Sequence, residues 1–220
     1  MKSLTTVKVV VFLLCLIPLG RLGWGAYTNN LGPNPIEVIT RSTGTWTLVF
    51  LLIVLSVSPL RRLSGFHGLI RLRRMLGLFA FFYLCLHFVT YIWLDQFFEL
   101  AEIAKDVMKR PFITAGFVSF LLLLPLALTS TSGMIRRLGG RRWQQLHRLV
   151  YVAAIGGVVH FIWLVKADLR EPLIYAGILT VLLGFRVVVS IKDHGSLPLM
   201  RRSHSGREAK VVGALKRRVD

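Results

Sequence analysis

Residues 76–94 read LGLFAFFYLCLHFVTYIWL: 19 residues with no formal charge and one histidine, His87. A helix needs about 20 apolar residues to cross the hydrocarbon of a bilayer. The run is apolar on every face. It lacks the two-residue alternation of a membrane-barrel strand. In lipid such a segment must be helical, because only a helix satisfies its own backbone groups.

Five further runs of this kind flank it: Val7–Leu22, Trp46–Leu60, Phe112–Leu128, Leu149–Val165 and Pro172–Val189. The second is short, with an extension back to Thr43 open. The fold expected is all-α, a six-helix integral membrane bundle over residues 1–195, followed by a basic tail over 196–220. Lys2 and Lys8 precede the apolar core of the first run as in a signal peptide, but no small-residue cleavage site follows. Arg21 and Trp24 look instead like an interfacial helix end, so this run is read as a retained span.

Composition agrees. The 220 residues are 54% hydrophobic and 17% charged, which excludes disorder, a disulfide framework and a soluble enzyme with an ordinary polar shell. Cys15 and Cys85 lie inside apolar runs and read as small buried hydrophobes.

The net charge of +18 would by itself suggest nucleic acid, but its distribution does not. Six spans place the N-terminus, Arg61–Arg74, Arg136–Arg148 and the tail on one side, with 21 of the 28 Lys/Arg and three of the ten Asp/Glu. The other side carries seven of each. The positive-inside rule makes the charged side, and with it both termini, cytoplasmic. The five tryptophans (Trp24, Trp46, Trp93, Trp143, Trp163) all fall near span ends, as an interfacial belt requires. The tail, with Arg201, Arg202, Lys210, Arg217 and Arg218, is expected to lie against anionic headgroups of the lipid bilayer, with no nucleic acid partner.

Of six histidines, His67, His194 and His204 read as solvated loop or tail residues. His87 and His160 lie inside spans, where an ionisable residue is a functional hypothesis by default. Counted from the cytoplasmic entry of its helix, each is about 17 Å deep at 1.5 Å per residue. Two imidazoles at one depth on neighbouring helices can clamp a planar haem between them. Gly157, Gly156 and Ala153 share the face of His160; Leu84, Tyr83 and Ala80 share that of His87. The small residues suit a porphyrin lying on the helix, and equally suit close helix packing. His147 is 13 residues before His160, about 20 Å lower and about 140° round an ideal helix. Aligning the two calls for a bulge near Gly156–Gly157. No histidine of the third span faces His147; the residue at its depth is Arg73 or Arg74. His147 therefore suits either an inner haem with an open second position or a flavin or quinone site. Arg73, Arg74, Arg141, Arg142 and Arg148 stand nearby as phosphate or propionate partners or as positive-inside anchors. No zinc-protease, nucleophile-elbow or phosphate-loop motif occurs, and no carboxylate lies in mid-span, which counts against a transporter.

Arg73-Arg74-Met75-Leu76-Gly77-Leu78, continuing through Phe81-Phe82-Tyr83 to Leu86-His87-Phe88, resembles the third helix of the MsrQ (YedZ) family. Trp143-Gln144-Gln145-Leu146-His147-Arg148-Leu149-Val150-Tyr151 followed by His160-Phe161 resembles its fifth, and Asn34-Pro35, Glu37 and Thr43-Gly44 also match. The resemblance covers roughly residues 10–195 and extends to the ferric reductase-like transmembrane group, which includes the NADPH oxidases. It implies a haem b membrane subunit of the bacterial cell inner membrane, itself not catalytic. Electrons would come from the quinone pool, with FMN as a further cofactor, and pass to a periplasmic molybdopterin methionine sulfoxide reductase, MsrP. The resemblance maps the haem ligands onto His87, His147 and His160, for one or two haems; where the oxidases carry a fourth histidine, Arg73 stands here. The rival expectations are a transporter with a histidine relay and a structural subunit whose histidines bond between helices; both predict a colourless protein.

Overall fold

The computed structural model describes residues 2–165 and 167–192, with side chains from Thr5. The basic tail, His194, His204, the expected domain boundary at 195/196 and Lys166 lie outside them. The long helices are α1 (Lys2–Tyr27), α2 (Pro35–Ser64), α3 (Arg73–Thr90), α5 (Pro111–Leu128), α8 (Leu149–Leu164) and α9 (Arg170–Lys192). Between them stand the shorter α4 (Leu100–Lys109), α6 (Ser132–Leu138) and α7 (Gly140–His147). Among the described residues six stretches are long and apolar enough to cross a membrane: Thr5–Tyr27, Pro35–Ser64, Arg73–Asp95, Pro111–Leu128, Gly140–Leu164 and Arg170–Lys192. Large apolar side chains stay exposed on them, among them Leu13, Val89, Val152 and Leu173. Lipid, not water, is the medium that accepts such a surface. The chain is a multi-pass membrane protein.

The short second run proves to be the longest helix. Asn34 caps α2, its side-chain oxygen accepting from Glu37 N at 3.3 Å, and Pro35 fills the first helical position, where no N–H is needed. Glu37 and Arg41 then pair one turn apart at 3.4 Å, so a polar start stays helical ahead of the apolar core. Gly65, in the left-handed region at φ 69°, ends the helix. Within unit Met1–Thr180, α2 is the most buried span. Its Leu51, Leu55 and Phe50 are buried, and Phe50 stacks on Phe79 and Tyr83 of α3.

Lipid tails compete with apolar side chains, so close approach of small residues does much of the work of helix association. Ala153 and Ala80 are buried, a Cβ on Gly156 would collide with Ser119 of α5, and one on Gly157 would stand 3.2 Å from Leu48 of α2. Of the two uses open to these small faces, the structure shows helix packing. Ser119 of α5 lies against Gly156 and Leu48 of α2 against Gly157, while Tyr83 and Ala80 are buried.

Tyr83 does something the sequence did not disclose. Its hydroxyl donates to Cys15 O at 2.8 Å and accepts from Leu19 N at 3.1 Å. Those two groups would otherwise bond each other in α1, one residue from the N–H that Pro18 lacks. The hydroxyl thus replaces one rung of the α1 ladder and fastens α1 to α3. In Tyr83→Phe the rung recloses, so the loss is confined to about 1 kcal/mol for one hydrogen bond. The expected result is a melting temperature lower by about 2–4 °C, with faster proteolysis of α1. An unchanged melting curve contradicts the fastening.

The segment Asp95–Arg110, between the third and fourth apolar runs, contains α4. Its apolar residues Leu100, Ile103, Ala104 and Val107 recur at helical spacing. Asp106 is buried and accepts from Gln96 Nε2 at 3.1 Å and Tyr91 OH at 3.4 Å, and it pairs with Arg110 at 3.2 Å. Thr114 donates to the Val107 carbonyl, joining α4 to α5. A π-helical turn, Tyr91–Asp95, leads from α3 into this segment, with Phe97 and Phe98 at positive φ. At the opposite end, Gly139 at φ 74° joins α6 to α7, which with the loops around them carry Arg136, Arg137, Arg141, Arg142 and Arg148.

Candidate functional site

Two helix pairs pack most extensively, α2 with α3 and α5 with α8. Each pair holds one histidine in the same way. His87, near the end of α3, donates from Nδ1 to the Thr40 carbonyl of α2 at 2.9 Å. His160, near the end of α8, donates from Nδ1 to the Phe112 carbonyl of α5 at 2.6 Å. Four residues beyond each accepting carbonyl stands a glycine against the ring. A Cβ on Gly44 would meet His87 Cε1 at 3.0 Å, and one on Gly116 would meet His160 Nδ1 at 2.9 Å.

A carbonyl only accepts, so each Nδ1 carries the proton and each Nε2 presents a lone pair. This is the tautomer of a metal-ligating histidine whose other nitrogen is held by a backbone carbonyl. The two rings face each other with centroids 6.2 Å apart and planes at 73°. Two imidazoles sharing one metal ion through bonds of about 2 Å stand roughly 6 Å apart between ring centres. Among the described residues no three His, Cys, Asp or Glu side chains converge to hold an ion. A metal seated on this pair would take its remaining ligands from outside these side chains, and a porphyrin supplies four. The Thr40 hydroxyl, on the residue whose carbonyl holds His87, is buried without a hydrogen-bond partner. The donor set, its spacing and this orphan hydroxyl fit a bound haem.

His147 is not brought to the other two. Its Nε2 lies 3.2 Å from Thr129 Oγ1, and its ring stacks on Trp143 at 3.9 Å. Trp143 donates from Nε1 to Thr129 O at 2.9 Å, so this tryptophan is tied inward rather than serving only as a belt residue. Thr129 spends its hydroxyl proton on Pro125 O at 2.6 Å, which makes His147 Nε2 the donor toward it. His147 thus carries the opposite tautomer from His87 and His160. Arg73 lies close enough to act on its charge, as the depth count expected, and Arg74 reaches Ser132 at 3.4 Å. The expected bulge is absent from Gly156–Gly157, which lie in unbroken α8; the helix is interrupted at Arg148, where bonds three residues apart tighten the turn. His67 is exposed at the start of a short 3-10 helix, His67–Arg71, and is bonded to Gly65 O at 2.7 Å.

The sequence reading missed the roles of Gly44 and Gly116. The available signal was a glycine near the start of each span that precedes a histidine-bearing one, at the depth that histidine reaches.

The family described as "ferric reductase like transmembrane component" matches residues 41–158, a segment that takes in Gly44, His87, Gly116 and His147. With its six apolar helices, the chain is a membrane component of the ferric reductase-like class. Its relatives narrow this further. The chain is 57% identical to the protein-methionine-sulfoxide reductase heme-binding subunit MsrQ of Azospira oryzae over 90% of this chain and 85% of that one. It is 58% identical to the subunit of that name from Herminiimonas arsenicoxydans, covering 84% and 86%. It is 53% identical to that from Rhodospirillum rubrum, covering 91% and 92%. The chain belongs to the MsrQ family.

Proposed function

We propose that the chain is the haem b electron-transfer subunit of a methionine-sulfoxide reductase system in the bacterial inner membrane. It takes electrons from the quinone pool, with FMN as a further carrier, and delivers them to a periplasmic molybdopterin reductase of the MsrP type. That enzyme repairs oxidised methionines. The observation that carries the reading is the His87–His160 pair, each Nδ1 held by a carbonyl and the two ring centroids 6.2 Å apart. The relatives' printed name, heme-binding subunit, supports it.

The positive-inside count puts both termini and the His147 end in the cytoplasm, and the His87–His160 end toward the periplasm. On this assignment α4 and its flanks form the periplasmic surface that receives the partner. Haem bound there supplies a reversible one-electron iron couple. The chain does the rest: Thr40 and Phe112 fix the ring tautomers, Gly44 and Gly116 let the rings seat against backbone, and the bundle keeps water out. No side chain makes or breaks a substrate bond, so the subunit conducts and is not itself the catalyst. His147, with Arg73 beside it, belongs to the electron-entry side, as ligand of an inner haem or as part of a quinone or FMN site.

The test is optical. Purified in mild detergent, the protein is expected to be coloured and to develop the sharp bands of reduced haem b on adding dithionite. An active preparation without pigment overturns the proposal and returns the transporter and structural alternatives.

A further inference from the structure

The geometry points to Gly44 and Gly116 as positioning residues that set the plane of each axial imidazole and so the electronic state of the haem between them. This rests on the haem reading above and adds to it two residues that touch no iron ligand position themselves.

The two clamps repeat each other across the bundle. In each, a carbonyl accepts the Nδ1 proton, and the residue four further on in the same helix is a glycine lying against the ring face or edge. Residues four apart stack on one side of a helix. Carbonyl and glycine therefore form one surface, and the ring rests on it. With a Cβ at position 44 the His87 ring must give by a few tenths of an ångström, and with one at position 116 the His160 ring, closer still, must shift. Cβ separations of 3.0 Å and 2.9 Å leave no ordinary contact distance. Thr43 and Thr47 beside Gly44 and Ser119 beside Gly116 are buried, so both glycines lie in packed stretches of their helices. The outcome is a fixed crossing of the two imidazole planes, 73° in this structure.

That angle has a measurable consequence. The relative orientation of two axial imidazoles splits the iron d orbitals. A steeply crossed pair gives a strongly anisotropic low-spin ferric signal, and a more nearly parallel pair gives an ordinary rhombic one. The Nδ1 hydrogen bond also raises ligand basicity, so loosening it shifts the midpoint potential.

The experiment compares four proteins by low-temperature electron paramagnetic resonance, potentiometric titration, haem content and melting of the haem-free form: wild type, Gly44→Ala, Gly116→Ala and Gly157→Ala. Gly157 is the control, since its Cβ meets Leu48 of α2 and not a histidine. The expected result is that Gly44→Ala and Gly116→Ala displace the low-spin signal and the potential. Alternatively they lose haem affinity by about 10–100-fold while the haem-free form melts as wild type does. Gly157→Ala should change melting and leave the signal in place. Unchanged signal, potential and haem content in both clamp variants overturn the inference. So does a haem loss that only parallels a fall in haem-free melting, or a Gly157→Ala signal shift as large as theirs. A wild type without haem would instead sink the functional reading itself.

Discussion

His87→Ala and His160→Ala each lose the low-spin haem spectrum, with retained haem falling by at least about 10–100-fold, the range seen when even supporting groups around a metal are removed. The argument is one of ligand count. Among the described residues no third His, Cys, Asp or Glu converges with the pair, so neither histidine has a stand-in. The fold should survive, because each substitution removes one bond to a carbonyl, Thr40 O or Phe112 O, and the packing of one ring, while the rest of each helix pair stays in contact. The variants are therefore expected to elute from detergent chromatography as wild type does. Each truncation also leaves an imidazole-sized hole beside a glycine, Gly44 or Gly116. Millimolar imidazole added to His87→Ala or His160→Ala should restore part of the low-spin spectrum. A structural role in bonding helices together predicts otherwise: His→Gln tolerated, and no response to imidazole. A His87→Ala protein with its full low-spin spectrum refutes the assignment.

What the sequence disclosed follows from which interactions are local. Span positions depend on run length against bilayer thickness, so His87 and His160 came out at a common depth from counting alone. Their meeting at 6.2 Å agrees with that count. The small residues were harder, because a glycine says that something approaches closely and not what. Gly156 and Gly157 were open to two uses, and helix packing took them. Gly44 and Gly116, which do lie against the histidines, differ only in what the neighbouring helix presents. Tyr83 read as part of the His87 face, but its hydroxyl closes a gap in α1 next to Pro18, and no periodicity reports a bond 64 residues long. Helix α4 was hidden by its own polarity. Its Glu102, Lys105, Asp106 and Lys109 look like loop until the apolar residues between them are counted at helical spacing. The long start of α2 was missed for the same reason, since a cap, a proline and one ion pair sustain it without hydrophobicity.

The second large effect concerns how electrons enter. His147→Ala should keep the outer haem, with its spectrum and its response to dithionite. Its reduction by a quinol should slow by at least about tenfold, a loss typical of removing one functional group near a redox centre. His147 stands 13 residues before His160, about 20 Å along the helix, so it cannot act on the outer iron by contact. Its own surroundings are of another kind: a tryptophan face, the Thr129 hydroxyl and the Arg73 charge, at the end where arginines crowd. Dithionite, small and strongly reducing, reaches haem without a docking site, whereas a quinol needs one; the ratio of the two rates thus isolates the entry step from the integrity of the outer centre. Haem per chain in the same variant then identifies what His147 holds. A fall to half means that it ligates an inner haem, for which Nε2 must first give up Thr129. An unchanged count with slowed quinol oxidation means a quinone or FMN site. Equal rates with both donors, at wild-type haem content, would remove His147 from the electron path.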